Sequence, residues 1–93
     1  MSEDIKKIRK KIDSLDDEIL QLLNKRAQQA VNISKEKQKS KDIDNFYNPE
    51  REAQVISRIK ELNQGPLSDE GILKIYRELM SACLSLEAPL KVS

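Results

Sequence analysis

Apolar side chains recur along the first part of the chain at Ile5, Ile8, Ile12, Leu15, Ile19 and Leu22, alternately three and four residues apart. That spacing draws one stripe along an α-helix and approaches a heptad repeat. No strong breaker interrupts it, because the first proline is Pro49 and the first glycine is Gly65. Continued through Ala30 and Ile33, the stripe predicts a single helix from about residue 4 to about residue 40. A second helix is marked by its cap: Asn48 can accept from free backbone N–H groups, and Pro49 follows where a missing N–H costs nothing. Ala53, Ile56, Ile59 and Leu62 form its expected apolar face, and Asn63-Gln64-Gly65-Pro66 closes it. A third helix opens at Ser68, with Leu67 and Ile72 placed for a hydrophobic staple. Its stripe of Ile72, Ile75, Tyr76, Leu79, Met80, Cys83 and Leu86 runs until Pro89. Apart from Leu90-Lys91-Val92, nothing alternates with the period of a strand. The fold class is all-α, with three helices, one long and two shorter.

The long helix makes a claim about assembly. About 36 residues at 1.5 Å each span about 54 Å. A compact chain of this size has a radius of gyration of about 12 Å. Two short helices cannot cover such a rod, so its seam calls for a partner, and a symmetric homodimer is the expected answer.

Several charges lie on the apolar stripes instead of beside them. Stepping on from Leu22 reaches Arg26, where an aliphatic residue was due. Lys37 lies three turns further on the same face, roughly 16 Å away. Glu52 precedes Val55, Ile56 and Ile59 by three, four and seven residues, and Glu87 continues the line of Tyr76, Met80 and Cys83. Each could pair in a buried salt bridge or reach solvent along its stem. Four of them converging on one thin core would be better satisfied by an anionic ligand carrying ether or hydroxyl oxygens. Arg9 lies on the flank of the seam, more than ~40 Å along the helix from Lys37. It is either a solvated arginine or, in an antiparallel dimer, a contributor to the partner's site.

Composition narrows the chemistry. The 93 residues are 35% charged and 38% hydrophobic, with no histidine and one cysteine. An internal disulfide framework, the usual Cys/His zinc sites and Ser-His or Cys-His nucleophile pairs are therefore excluded. A net charge of +1 gives no nucleic-acid footprint, the lysines of the stretch 35–41 being the only local bias. No apolar run approaches a membrane span, and Met1-Ser2-Glu3-Asp4 does not read as a signal peptide, so a cytoplasmic location is expected.

Taken together, Arg9, Ile12-Asp13-Ser14-Leu15-Asp16, Leu22-Leu23, Lys25-Arg26, Ile33, Lys37 and Pro49-Glu50-Arg51-Glu52 resemble the all-helical (AroQ-type) chorismate mutases. Tyr76-Arg77-Glu78-Leu79-Met80-Ser81-Ala82-Cys83 with Glu87 is similar to that family's last helix. The resemblance covers essentially the whole chain, and its most specific part is the joint spacing of Arg26, Lys37, Arg51-Glu52 and Glu87. It implies an intertwined dimer with two sites and the Claisen rearrangement of chorismate to prephenate, for which no metal and no cofactor is expected. By the same resemblance, Arg26 would clamp one substrate carboxylate, and Arg9 from the other subunit would hold the second. Lys37 would bond a carboxylate and the ether oxygen, Glu52 would accept from the ring hydroxyl, and Arg51 would orient Glu52 and the substrate. Asn48 matches a position that is often aspartate, while also serving as a plain helix cap. The family's last helix often carries Ser-x-x-x-Gln where this chain has Cys83-x-x-x-Glu87. Cys83 is a weaker donor, so it is either a site residue or core.

The tail from Leu86 to Ser93 resembles the junction of bifunctional proteins in which this domain precedes a prephenate dehydratase domain. Residues 1–88 are then the mutase domain and 89–93 a truncated linker, with any regulation by phenylalanine residing in the missing sequence. Two other readings remain at this stage. One is a non-enzymatic helical dimerisation module, and the other an isochorismate-pyruvate lyase on the same fold, against which the tail argues.

Glu87 gives the first prediction. A carboxyl group donates a hydrogen bond to the ether oxygen only when protonated, burial favouring that form and a nearby cation opposing it. Turnover should decline as pH rises through the titration of Glu87, and Glu87→Gln should flatten the profile. A pH–rate profile identical in the two proteins would remove Glu87 from the site.

Overall fold

The computed structural model describes residues 2–39 and 48–87, apart from the side chains of Ser2 and Glu87. Three helices account for nearly all of them: α1 (Ser2–Lys39), α2 (Pro49–Leu62) and α3 (Asp69–Glu87). The predicted boundaries hold to within a few residues. The stretch 40–47 and the tail 88–93, with the strand-like Leu90-Lys91-Val92, lie outside the described residues.

Each helix start has a visible cause. The Asn48 side chain accepts from the Arg51 backbone N–H at 3.0 Å, and Pro49 takes the first helical position. Ser68 caps α3 in the same way, its hydroxyl accepting from Gly71 N–H at 3.0 Å. Acidic residues follow in all three first turns (Glu3 and Asp4, Glu50 and Glu52, Asp69 and Glu70), where they meet the positive end of the helix dipole.

The α2–α3 corner is held by a residue whose role the sequence pattern did not isolate. Asn63 closes α2 by donating its backbone N–H to Ile59 O at 3.0 Å. Its side-chain amide then donates to Leu67 O at 2.9 Å and to Asp69 Oδ1 at 2.8 Å, and its Oδ1 accepts from Gly65 N–H at 3.4 Å. One amide thus ties the end of α2, the turn and the start of α3 together.

α3 packs on both other helices, whereas α1 and α2 do not pack directly on each other. The buried face of α1 begins only at Arg26: every residue from Glu3 to Lys25 is exposed. Beyond it, Arg26, Ala27, Ala30, Val31, Ser34 and Lys37 turn inward, and the small side chains among them let α3 approach closely. This face is rotated by roughly 60° from the expected stripe, leaving Ile33 47% exposed. On α2 the inward residues are Glu52, Val55, Ile56 and Ile59, while Ala53 and Leu62, at the edges of the predicted arc, are exposed. On α3, Leu73 and Leu84 join the inner face, while Ile75 and Leu86 stay exposed. The helices rotate because three of them meet off-centre, whereas the sequence stripe averages over every apolar neighbour a residue will ever have.

The core is small. Among the described residues, Ala30, Val55 and Cys83 are the buried apolar ones, with the polar Ser34 beside them, and no large side chain is fully buried. The radius of gyration is 17.1 Å and the longest axis 59 Å, against about 12 Å expected for a compact chain of this length. No helix among the described residues is long and apolar enough to cross a membrane.

Removing the Asn63 side chain tests the corner. Asn63→Ala should destabilise the fold by about 1–2 kcal/mol, the usual scale for losing a cap with its accompanying hydrogen bonds. Urea unfolding monitored by circular dichroism reads this directly.

Candidate functional site

Because α3 separates α1 from α2, a wedge opens between the C-terminal half of α1 and the first turns of α2, floored by α3. It is a cavity of about 440 Å³. Its polar lining consists of Arg26, Gln29 and Lys37 from α1, Asn48, Arg51 and Glu52 from the start of α2, and Cys83 from α3. Ala30, Ile33, Val55, Met80 and Leu84 supply an apolar wall. A concave space of this size, mostly apolar with a few convergent polar groups, is typical of a small-molecule site.

Local helix geometry explains why these residues meet. Arg26 and Lys37 are eleven residues apart on α1, three turns along one face, and both are half-buried. Asn48, Arg51 and Glu52 fall at i, i+3 and i+4 and so share one side of the opening turn of α2. The cap reinforces this, since Glu52 N–H donates to Asn48 O at 3.0 Å while Arg51 N–H occupies the Asn48 side chain. Asn48 is therefore committed as a cap and lines the cavity as well, which joins the two readings that the sequence left open. Glu52 is half-buried, while Arg51 and Asn48 lie exposed at the mouth.

Cys83 is 4% exposed. Its sulfur accepts a hydrogen bond from Arg26 Nη1 at 3.3 Å, a link across 57 positions of sequence between α1 and α3. The thiol is thus engaged with the guanidinium and is not merely filler in the core.

The described lining is richer in cations than in carboxylates. Among the described residues, three cations (Arg26, Lys37 and Arg51) face one carboxylate (Glu52), an excess of two positive charges. With low-dielectric walls on several sides, such an excess attracts a dianion more strongly than it would at an open surface.

Of the residues singled out from sequence, Arg26, Lys37, Asn48, Arg51, Glu52 and Cys83 all reach this cavity. Arg9 does not: it is exposed on the free half of α1, about 26 Å along the helix from Arg26. The side chain of Glu87 lies outside the described residues, although the backbone of α3 runs to that position. The pattern missed Gln29, which lines the cavity beside Arg26; as a polar residue off the stripe, it carried no signal. It also passed over Val55, Met80 and Leu84 as site walls, since core and cavity lining look alike in a hydrophobic pattern.

Comparison with known proteins agrees with this geometry. The family model described as "Chorismate mutase type II" matches residues 8–88. The chain is 44% identical over 92 residues to a bifunctional chorismate mutase/prephenate dehydratase of Pseudomonas aeruginosa, covering 96% of this chain and 25% of that protein. It is 47% identical over 85 residues to the protein of the same name from Neisseria gonorrhoeae (91% of this chain, 22% of that one). With the Aquifex aeolicus protein of that name it shares 43% over 95 residues (98% and 26%). The chain spans about a quarter of the length of these relatives.

Proposed function

The chain belongs to the chorismate mutase type II family, and we propose that it rearranges chorismate to prephenate in the cavity between α1, α2 and α3. One observation carries the reading: among the described residues, three cations and one carboxylate converge on an apolar-walled space of about 440 Å³, which suits a small dicarboxylate bearing a hydroxyl group.

The reaction needs little that this chain lacks. In a Claisen rearrangement one carbon–oxygen bond breaks while one carbon–carbon bond forms within a single six-atom ring. No nucleophile attacks, no proton moves and no electron is exchanged with a cofactor. The demands are that the flexible dianion be folded so the two carbons meet, and that negative charge growing on the ether oxygen be met by a donor already in place.

The proposed roles are those that the family resemblance implies, and the cavity lining is compatible with them for Arg26, Lys37, Arg51 and Glu52. Arg26, held by Cys83, clamps one carboxylate, for which the guanidinium fork is well shaped. Lys37 bonds a carboxylate and the ether oxygen, where its charge counts most as the bond breaks. Glu52 accepts from the ring hydroxyl, and Arg51 orients Glu52 and the substrate at the mouth. Glu87 donates to the ether oxygen in its protonated form. The low end of enzymatic acceleration requires about 8 kcal/mol of transition-state stabilisation. A single donor to a developing oxyanion is worth roughly 3–4 kcal/mol. Lys37 and Glu87 thus supply most of what is needed, and the folded pose supplies the rest.

The second substrate carboxylate is assigned to Arg9 of a partner subunit in an intertwined homodimer. Support comes from the free half of α1, where Ile5, Ile8, Ile12, Leu15, Ile19 and Leu22 are each about half exposed or more. At the usual coefficient, covering half of one such side chain contributes about 1 kcal/mol, so the six on each chain amount to a substantial driving force. The relatives' names further support a fusion, with residues 1–88 as the mutase domain and 89–93 as a linker toward a prephenate dehydratase domain. The same reading assigns the enzyme to the cytoplasm, where a biosynthetic step on a water-soluble dianion belongs.

Purified protein incubated with chorismate should consume it and yield prephenate. Lys37→Ala should lower kcat by roughly 10²–10³ with a smaller effect on KM, while Arg26→Ala should damage both. A correctly folded dimer that leaves chorismate untouched would return the chain to a dimerisation module. Site sharing has its own check: mixed and reassembled Arg9→Ala and Lys37→Ala chains should regain roughly a quarter of parental activity. Half of the dimers are then hybrids, and each hybrid holds one intact site of two. Inactive hybrids would place the second carboxylate elsewhere.

A further inference from the structure

We infer that Cys83 is a positioning residue that acts through its sulfur as an acceptor, aiming the Arg26 guanidinium into the cavity, instead of contacting the substrate as a donor. The inference rests on the proposed chorismate mutase reading for its kinetic expression, but on geometry for its substance. Cys83 is the most buried residue of the core at 4% exposure, and Arg26 Nη1 donates to its Sγ at 3.3 Å.

The argument starts from what Arg26 would do alone. An arginine on a helix has four rotatable side-chain bonds, and half-burial limits but does not select its direction. The residues of α1 around it offer little to hold it, since Ala27 and Ala30 carry no polar side-chain atom and the Gln29 Oε1 accepts from Asn32 Nδ2 at 3.4 Å. The acceptor comes from the facing helix: Cys83 stands where α3 crosses α1, and its sulfur engages one terminal nitrogen. A guanidinium carries five N–H donors, so engaging one still leaves a fork to present to a carboxylate. Sulfur accepts weakly and is poorly hydrated, so the bond restrains Arg26 without neutralising it, as a carboxylate in the same place would. The excess of positive charge in the cavity is therefore preserved while its direction is set.

This role predicts an order among substitutions that packing alone does not. Cys83→Ser keeps an acceptor at nearly the same place and should stay within about twofold of the parent in kcat/KM. Cys83→Ala removes the acceptor and should lower kcat/KM by about tenfold, chiefly through KM, because a wandering guanidinium weakens ground-state and transition-state binding alike. Cys83→Val fills the volume without providing an acceptor and should resemble alanine, not serine. Valine matching serine, or all three variants matching the parent, would reduce Cys83 to core packing. A parent inactive on chorismate would instead overturn the functional reading, and the positioning role would then be decided on the parent chain by nuclear magnetic resonance. There the Arg26 Nη–H protons should give resolved signals that merge in Cys83→Ala. A single averaged Nη–H signal in the parent would overturn the inference whatever the kinetics, and it needs no variant to fold.

Discussion

Among the described residues, a helix of 38 residues has only 33 other helical residues to lie against, in two pieces of 14 and 19. The shape of this protein follows from that shortage. α3 is the one element that reaches both neighbours, so it packs on the C-terminal part of α1 and on α2 while holding them apart. The space that it holds open is the cavity. The part of α1 that nothing covers is the exposed seam. Cavity and unpartnered apolar surface thus lie on two parts of one long helix, the cavity against its packed C-terminal part and the seam along the exposed residues 3–25.

The offset between the two faces of α1 gives this arrangement its functional consequence. The seam of the free half and the inward face of the packed half differ by roughly 60° around the helix axis. Arg26 and Lys37 lie where the two overlap, at the edge of the intramolecular contact and in line with the seam. They are consequently half-buried by their own chain and line the cavity. In such a setting a cation is screened from bulk water without being sealed into a hydrophobic core, which would cost several kcal/mol for an unpaired charge. Positioning and fixed charge are what a pericyclic rearrangement asks of a protein, and a chain without histidine can provide both.

The amount of the site that could be read in advance depended on how each residue betrayed itself. Arg26, Lys37 and Glu52 were legible because a charge on an apolar stripe contradicts its surroundings. Asn48 and Arg51 became legible only through the family resemblance, because a cap before proline needs no ligand to explain it. Gln29 gave no signal, since a polar residue beside the stripe is where helices usually put one. Cys83 was legible as an inward residue and illegible as a partner of Arg26, because no local pattern links positions 57 residues apart. The same limit governed the helix faces: Ile33, Ile75 and Leu86 follow the apolar period, yet all remain exposed in the chain by itself.

By itself the sequence determined that the protein is helical, where the described helices begin, that the first helix is too long for its own chain, and that arginine, lysine and carboxyl side chains would interrupt the apolar stripes. Those are properties of local spacing, capping and residue type, which act over a few turns of backbone. The tertiary structure alone decided that α3 would part α1 from α2, that small residues at Ala30 and Ser34 instead of Ile33 would carry the close packing, and that the Cys83 sulfur would meet the Arg26 guanidinium. These depend on how helices rotate and cross to cover one another. That is set by the summed shape of many side chains from distant positions and leaves no mark on the period of any one helix.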